Sequence, residues 1–190
     1  MGGPVPLPEV LDEVLFKRVR EGDMRAFDEL YSRYEQRLFC FIKRYLARSE
    51  DAEEVFHEAF MKVLKSREIK FDRGSFCTWL YRIARNLSLN RLRSHGRSEK
   101  AAWEFGAEVA ADSNLFPTEN KIDESKLLGA LTSAVKNLSQ PLFEIYRLRS
   151  SGMSYEEMAH ILDIPLGTVK SRMFEMVGQL RAEVELWNVR

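Results

Sequence analysis

A chain of 190 residues with 29 Lys and Arg against 29 Asp and Glu has no formal net charge. That excludes a protein that coats nucleic acid nonspecifically, because neutralising phosphates takes an excess of cations. Hydrophobic residues make up 45% of it, with 12 Phe, 6 Tyr and 3 Trp, enough apolar side chain for two modest cores.

Gly2 to Pro8 alternates Gly or Pro with apolar residues, so 1–10 is expected to be a disordered tail. A first domain over 11–95 follows. Asp12 to Glu21 reads as a helix closed by Gly22, and Met24 to Arg48 as a second, with Phe27, Leu30, Tyr31, Tyr34, Leu38, Phe41, Ile42 and Tyr45 on one apolar stripe. Ser49 ahead of Glu50, Asp51, Glu53 and Glu54 places a capping residue and acids at the start of a third helix. Val55, Ala59, Phe60, Val63 and Leu64 carry it to about Arg67. Asp72 and Gly74 break the period, which Phe76, Leu80, Ile83, Ala84, Leu87, Leu89 and Leu92 resume as a basic amphipathic helix to Arg93.

Charge then changes sign. Arg82, Arg85, Arg91, Arg93, Arg97 and Lys100 are opposed by Glu99 alone, whereas Glu104, Glu108, Asp112, Glu119, Asp123 and Glu124 are opposed only by Lys121. Gly96, Gly106 and Pro117 and the loss of periodicity mark 96–122 as a linker, and its acids are placed to mask the basic helix. A second domain over 123–190 reads as helices from Leu127 to Leu138, Pro141 to Ser150, Ser154 to Leu162 and about Pro165 to Leu186. The fold class is therefore all-α: two small helical domains joined by a flexible linker, with no strand and no internal repeat.

Within the second domain Ser154 and Glu157 form an S-x-x-E capping box, and Asp163-Ile164-Pro165 forms a tight turn. Met158, Ala159, Leu162, Ile164, Val169 and Met173 are spaced for two helices meeting steeply, with the small Ala159 at the crossing. That is a helix-turn-helix whose second helix shows Thr168, Lys170, Ser171 and Arg172 near its N-terminal end, the part that enters a major groove. Spacing alone leaves open an ordinary helical hairpin with a solvated face.

No apolar run reaches the roughly 18 to 20 residues of a membrane span and no signal-peptide pattern is present, so a cytoplasmic protein without membrane insertion is expected. Cys40 and Cys77 lie beside Phe39, Phe41 and Phe76 and read as packed, reduced thiols. His57, His95 and His160 lack ligand spacing, so no metal and no cofactor are expected.

The stretch from Ser154 to Arg172, Ser-Tyr-Glu-Glu-Met-Ala-His-Ile-Leu-Asp-Ile-Pro-Leu-Gly-Thr-Val-Lys-Ser-Arg, resembles the C-terminal promoter-binding domain of the extracytoplasmic-function (ECF) sigma factors of the sigma-70 superfamily. Asp51 to Phe60 resembles that family's polymerase-binding helix, and Phe76 to Leu87 its DNA-melting helix, in the family's order and spacing. The resemblance implies a transcription initiation factor that binds RNA polymerase core through Glu53, Glu54, His57, Glu58 and Phe60, although a solvated acidic face would look the same from the residues alone. It places the minus-ten element of promoter DNA against Phe71, Arg73, Phe76, Trp79, Arg82, Arg85, Asn86, Asn90 and Arg93. Trp79 shares a face with Ile83 and Leu87, so part of its ring is expected in the core. The minus-thirty-five element falls to Thr168, Lys170, Ser171, Arg172 and Glu175. His57 replaces the family's usual Gln, Asn90 its common Asp, and Glu175 and Val177 two arginines that many relatives carry.

The resemblance also implies an anti-sigma factor as partner and a monomer when free. The rival reading is a stand-alone dimeric helix-turn-helix transcriptional regulator on palindromic sites. An enzyme is not expected: no glycine-rich phosphate loop, paired-His motif or nucleophile elbow is present.

Overall fold

A computed structural model describes residues 10–46, 48–66, 75–94, 129 and 131–188. The expected linker, nearly all of the expected tail, and Phe71 and Arg73 lie outside the described residues. The described residues contain seven principal helices and no strand: α1 Asp12–Arg20, α2 Met24–Lys43, α3 Ser49–Lys65, α4 Phe76–Ser94, α5 Gln140–Ser150, α6 Tyr155–Leu162 and α7 Leu166–Asn188. A further helical stretch covers 131–136.

The first four helices pack into one lobe around Leu30, Leu38, Phe41, Ile42, Val63, Phe76, Leu80, Tyr81 and Ala84, all without exposed surface. Each such large side chain contributes about 1.5–3 kcal/mol by leaving water. The corner between α1 and α2 is fixed by Asp23, whose carboxylate accepts from the backbone N–H groups of Arg25 and Ala26 and from the Arg18 guanidinium at 2.6 Å. The Arg18 hydrogen bond holds the Asp23 carboxyl below its ordinary range. Ser75 starts α4: its carbonyl accepts from the Thr78 hydroxyl at 2.7 Å, and Glu13 of α1 accepts the Phe76 N–H at 2.9 Å.

Two bounds in the first lobe differ from the sequence reading for a visible physical reason. α2 stops at Lys43 rather than Arg48, because the chain tightens through Arg44, Tyr45 and Leu46 as their side chains turn inward and become buried. Arg48, not Ser49, precedes the first turn of α3, and Ser49 is its first helical residue, its hydroxyl accepting from the Lys43 ammonium at 3.0 Å.

The second lobe is formed by the 131–136 stretch with α5, α6 and α7, around Leu138, Leu142, Phe143, Ile145, Leu148, Met158 and Val169. Its buried residues are continuous with those of the first lobe, and α4 packs directly on α6. α5 is unusual in burying two charged residues, Glu144 and Arg147. A turn through Gly152, at φ +84, leads to α6.

Candidate nucleic-acid interface

α6 begins with the capping box expected from sequence: the Ser154 hydroxyl accepts from the Glu157 N–H at 3.2 Å, and the Glu157 carboxylate accepts from the Ser154 N–H at 2.7 Å. It ends at Asp163, whose φ of 54 and ψ of 49 are left-handed and turn the chain into α7. Val169, Met173 and Met176 face the core, which leaves Lys170, Ser171 and Glu175 on the open side, with Thr168 and Arg172 partly buried. The Ser171 hydroxyl bonds back to the Thr168 carbonyl at 3.1 Å, while the Glu175 carboxylate accepts from Gln179 at 3.3 Å and so lies along the helix surface.

The most exposed large apolar side chain among the described residues lies on this same side and was missed from sequence: Phe174, 85% exposed. Its spacing held a signal. Phe174 follows Lys170 by four and Ser171 by three, so it shares their face of a helix, where an aromatic has no packing reason to stand.

On α4 the side chains Arg82, Asn86, Asn90 and Arg93 are exposed and recur at helical spacing, with the Arg93 guanidinium donating to Asn90 at 3.1 Å. Phe76 corrects the sequence reading: its ring has no exposed surface and packs at 5.4 Å from Phe16, so it has no face to offer a base in this arrangement. Trp79 is partly buried as expected, at 5.5 Å from the Phe16 ring. Arg91 points back to α3, 2.5 Å from Glu54 and 3.6 Å from Asp51.

Arg85 is held elsewhere. Its Nε donates to the Glu144 carboxylate of α5 at 2.7 Å, which also accepts from the Tyr45 hydroxyl at 3.0 Å and the Arg147 guanidinium at 3.2 Å. Burial works hardest against the Arg85 charge, but Glu144 and Tyr45 together outweigh it and raise the Arg85 pKa. Burial, followed by the same carboxylate, pushes the Tyr45 phenol far above its ordinary range.

α3 presents Glu53, Glu54, His57 and Glu58 to solvent on one face, but not Phe60, which is 3% exposed and packs at 4.8 Å from the Tyr31 ring. Phe60 is therefore a core residue, and its place on the surface is taken by Met61 and Leu64, 45% and 40% exposed. Leu64 had read as core because it continues the apolar period by one position. Among the described residues no group of His, Cys, Asp and Glu is arranged to hold a metal ion, and no helix is long and apolar enough to cross a membrane.

Residues 30–98 match the family model of Sigma-70 region 2, and residues 128–175 that of Sigma-70, region 4. The ECF RNA polymerase sigma-E factor of Haemophilus influenzae is 35% identical over 184 residues, covering 93% of this chain and 97% of that protein. The ECF RNA polymerase sigma-E factor of Escherichia coli is 35% identical over 176 residues, 87% of this chain and 90% of that one. Among solved structures, CnrH in complex with the cytosolic domain of CnrY matches with a TM-score of 0.66 at 22% identity, over 92% of this chain and 97% of that chain. The sigma factor RpoE in complex with the anti-sigma factor NepR from Bartonella quintana matches at 0.55 and 22%, over 84% and 96%. The likeness to these two is one of fold.

Proposed function

Because the chain belongs to the extracytoplasmic-function RNA polymerase sigma factors, we propose that α3, α4 and α7 divide the work of promoter-specific initiation. The α3 face of Glu53, Glu54, His57 and Glu58, flanked by Met61 and Leu64, docks on a basic, partly apolar surface of core polymerase. α4 lies along the minus-ten element, where Arg82 and Arg93 grip phosphates, Asn86 and Asn90 meet base edges, and Arg85 joins them when free of Glu144. The preceding segment supplies Phe71 and Arg73, and the exposed part of Trp79 supports an unstacked base.

α7 enters the major groove at the minus-thirty-five element. Lys170 and Arg172 contribute charge, Thr168 and Ser171 hydrogen bonds, and Phe174 an apolar edge of the kind that packs on a thymine methyl. Glu175 accepts a cytosine amino proton and repels phosphate, so this element is read with less electrostatic grip than in relatives bearing arginine there. As in the neighbouring RpoE complex, the protein is held by an anti-sigma factor until needed, and no catalytic step is assigned to it.

The observation that carries this reading is the helix-turn-helix itself, with Lys170, Ser171 and Phe174 aimed outward from a turn fixed at Asp163. The test is transcription in vitro from a genomic promoter library with core polymerase, with and without the protein. New, sequence-specific start sites are expected. Absence of start sites together with failure to bind core would instead favour the stand-alone dimeric regulator.

A further inference from the structure

Beside the apolar core that runs through both lobes, they meet across a polar seam. On one side are Tyr45 at the end of α2 and Arg85 of α4; on the other is Glu144 of α5, with Arg147 of the same helix lying 4.0 Å over the Tyr45 ring. Beside them the Arg44 guanidinium donates to the Ser150 hydroxyl at 2.8 Å, the Ser151 hydroxyl at 2.7 Å and the Arg147 carbonyl at 3.2 Å. Taking charges out of water is unfavourable even when they are paired, and apolar residues of the same size join surfaces more tightly. A polar seam suits an interface that opens, because each group regains its hydration when the lobes part.

The identity of the captured group gives the seam a second meaning. Arg85 stands on the exposed-arginine helix, three residues after Arg82 and one before Asn86. A guanidinium binds a carboxylate and a phosphate in the same planar, charge-assisted geometry. Glu144 therefore makes to Arg85 the kind of contact that a phosphate oxygen makes.

We propose that Glu144 is an internal substitute for a nucleic-acid phosphate: by binding Arg85 it latches the C-terminal lobe onto α4, and the lobes open when Arg85 exchanges Glu144 for DNA. The proposal rests on the reading of α4 as a promoter-facing helix. It differs from masking by the acidic 96–122 segment, because the acid responsible lies inside α5.

The test compares the full chain with Glu144→Gln, which keeps an acceptor for Tyr45 and removes the charge. Small-angle X-ray scattering reports closure, and fluorescence anisotropy reports binding to a short labelled single strand of DNA of mixed sequence. Glu144→Gln is expected to enlarge the radius of gyration and tighten DNA binding on the order of tenfold, since apparent affinity scales with the fraction of open molecules. Arg85→Gln is expected to open the protein equally without tightening binding, because the phosphate contact goes with the latch. Should either variant lose its helical circular dichroism, Ser150→Ala with Ser151→Ala, which removes the two hydroxyl acceptors of Arg44 and leaves both charges in place, is the deciding comparison and is expected to loosen closure and tighten binding.

Unchanged scattering and affinity in Glu144→Gln overturn the latch. Opening without tighter binding, in a protein that still pulls down core polymerase, overturns the withholding of Arg85. If no form of the protein binds DNA or polymerase, the promoter-facing reading fails separately, and with it the exchange; the scattering then shows only whether Glu144 closes the lobes.

Discussion

Asp163 carries the turn of the helix-turn-helix in a conformation that an L side chain enters at a cost of roughly 1–2 kcal/mol, less for Asp, a residue type that visits it more readily. Asp163→Gly is expected to leave stability unchanged or raise it slightly, whereas Asp163→Val is expected to lower it by about 1–2 kcal/mol, both read from urea unfolding followed by circular dichroism. Equal stability of the two variants would mean that the turn relaxes without the left-handed residue. The thiols give a second residue-scale outcome. Cys40 is exposed, while burial pushes the Cys77 thiol up to about 11. A raised pKa keeps the proton on: at pH 8 only about a thousandth of Cys77 is thiolate. Iodoacetamide at that pH should label Cys40 rapidly and Cys77 only after unfolding, as mass spectrometry of the digested chain will show.

At the scale of the helix, the reading face proposed for α7 carries an electrostatic handicap. Glu175 is exposed one turn after Ser171, so on the proposed reading of α7 its charge repels the phosphates of the element it reads. Glu175→Arg is expected to tighten binding to a minus-thirty-five duplex and to steepen the decline of log affinity with log salt by about one unit, the signature of one added phosphate contact. An unchanged salt slope would place Glu175 away from the backbone. α3 and α4 show how far helical periodicity carries a reading and where it stops. Glu53, Glu54, His57 and Glu58 were legible as one exposed stripe, as were Arg82, Asn86, Asn90 and Arg93, because a period near four residues fixes a face. Phe60 and Phe76 were placed on the surface by resemblance, but their rings fill the space left by Tyr31 and Phe16. The apolar period had already set both with the core, and the packing follows the period rather than the resemblance.

For the whole molecule, the continuous core and the seam make the lobes one unit in the closed form. Tyr45 contributes through a single hydroxyl, donating to Glu144 at 3.0 Å from a fully buried position. Tyr45→Phe keeps the ring under Arg147 and removes only that bond, so unfolding free energy should fall by about 1 kcal/mol. A loss near zero in urea titration would show that Arg85 and Arg147 satisfy Glu144 by themselves.

The sequence by itself determined the helical content, the position of the helix-turn-helix, its capping box and tight turn, and the charge on each exposed stripe. All of these follow from interactions between residues close along the chain, where period and capping chemistry leave few alternatives. The tertiary structure alone decided that α2 ends at Lys43 and that Arg85 is held by Glu144. Arg85 and Glu144 are 59 residues apart. No local pattern links them, because their pairing depends on how two separately formed lobes meet, and that is settled by the surfaces the helices bring together.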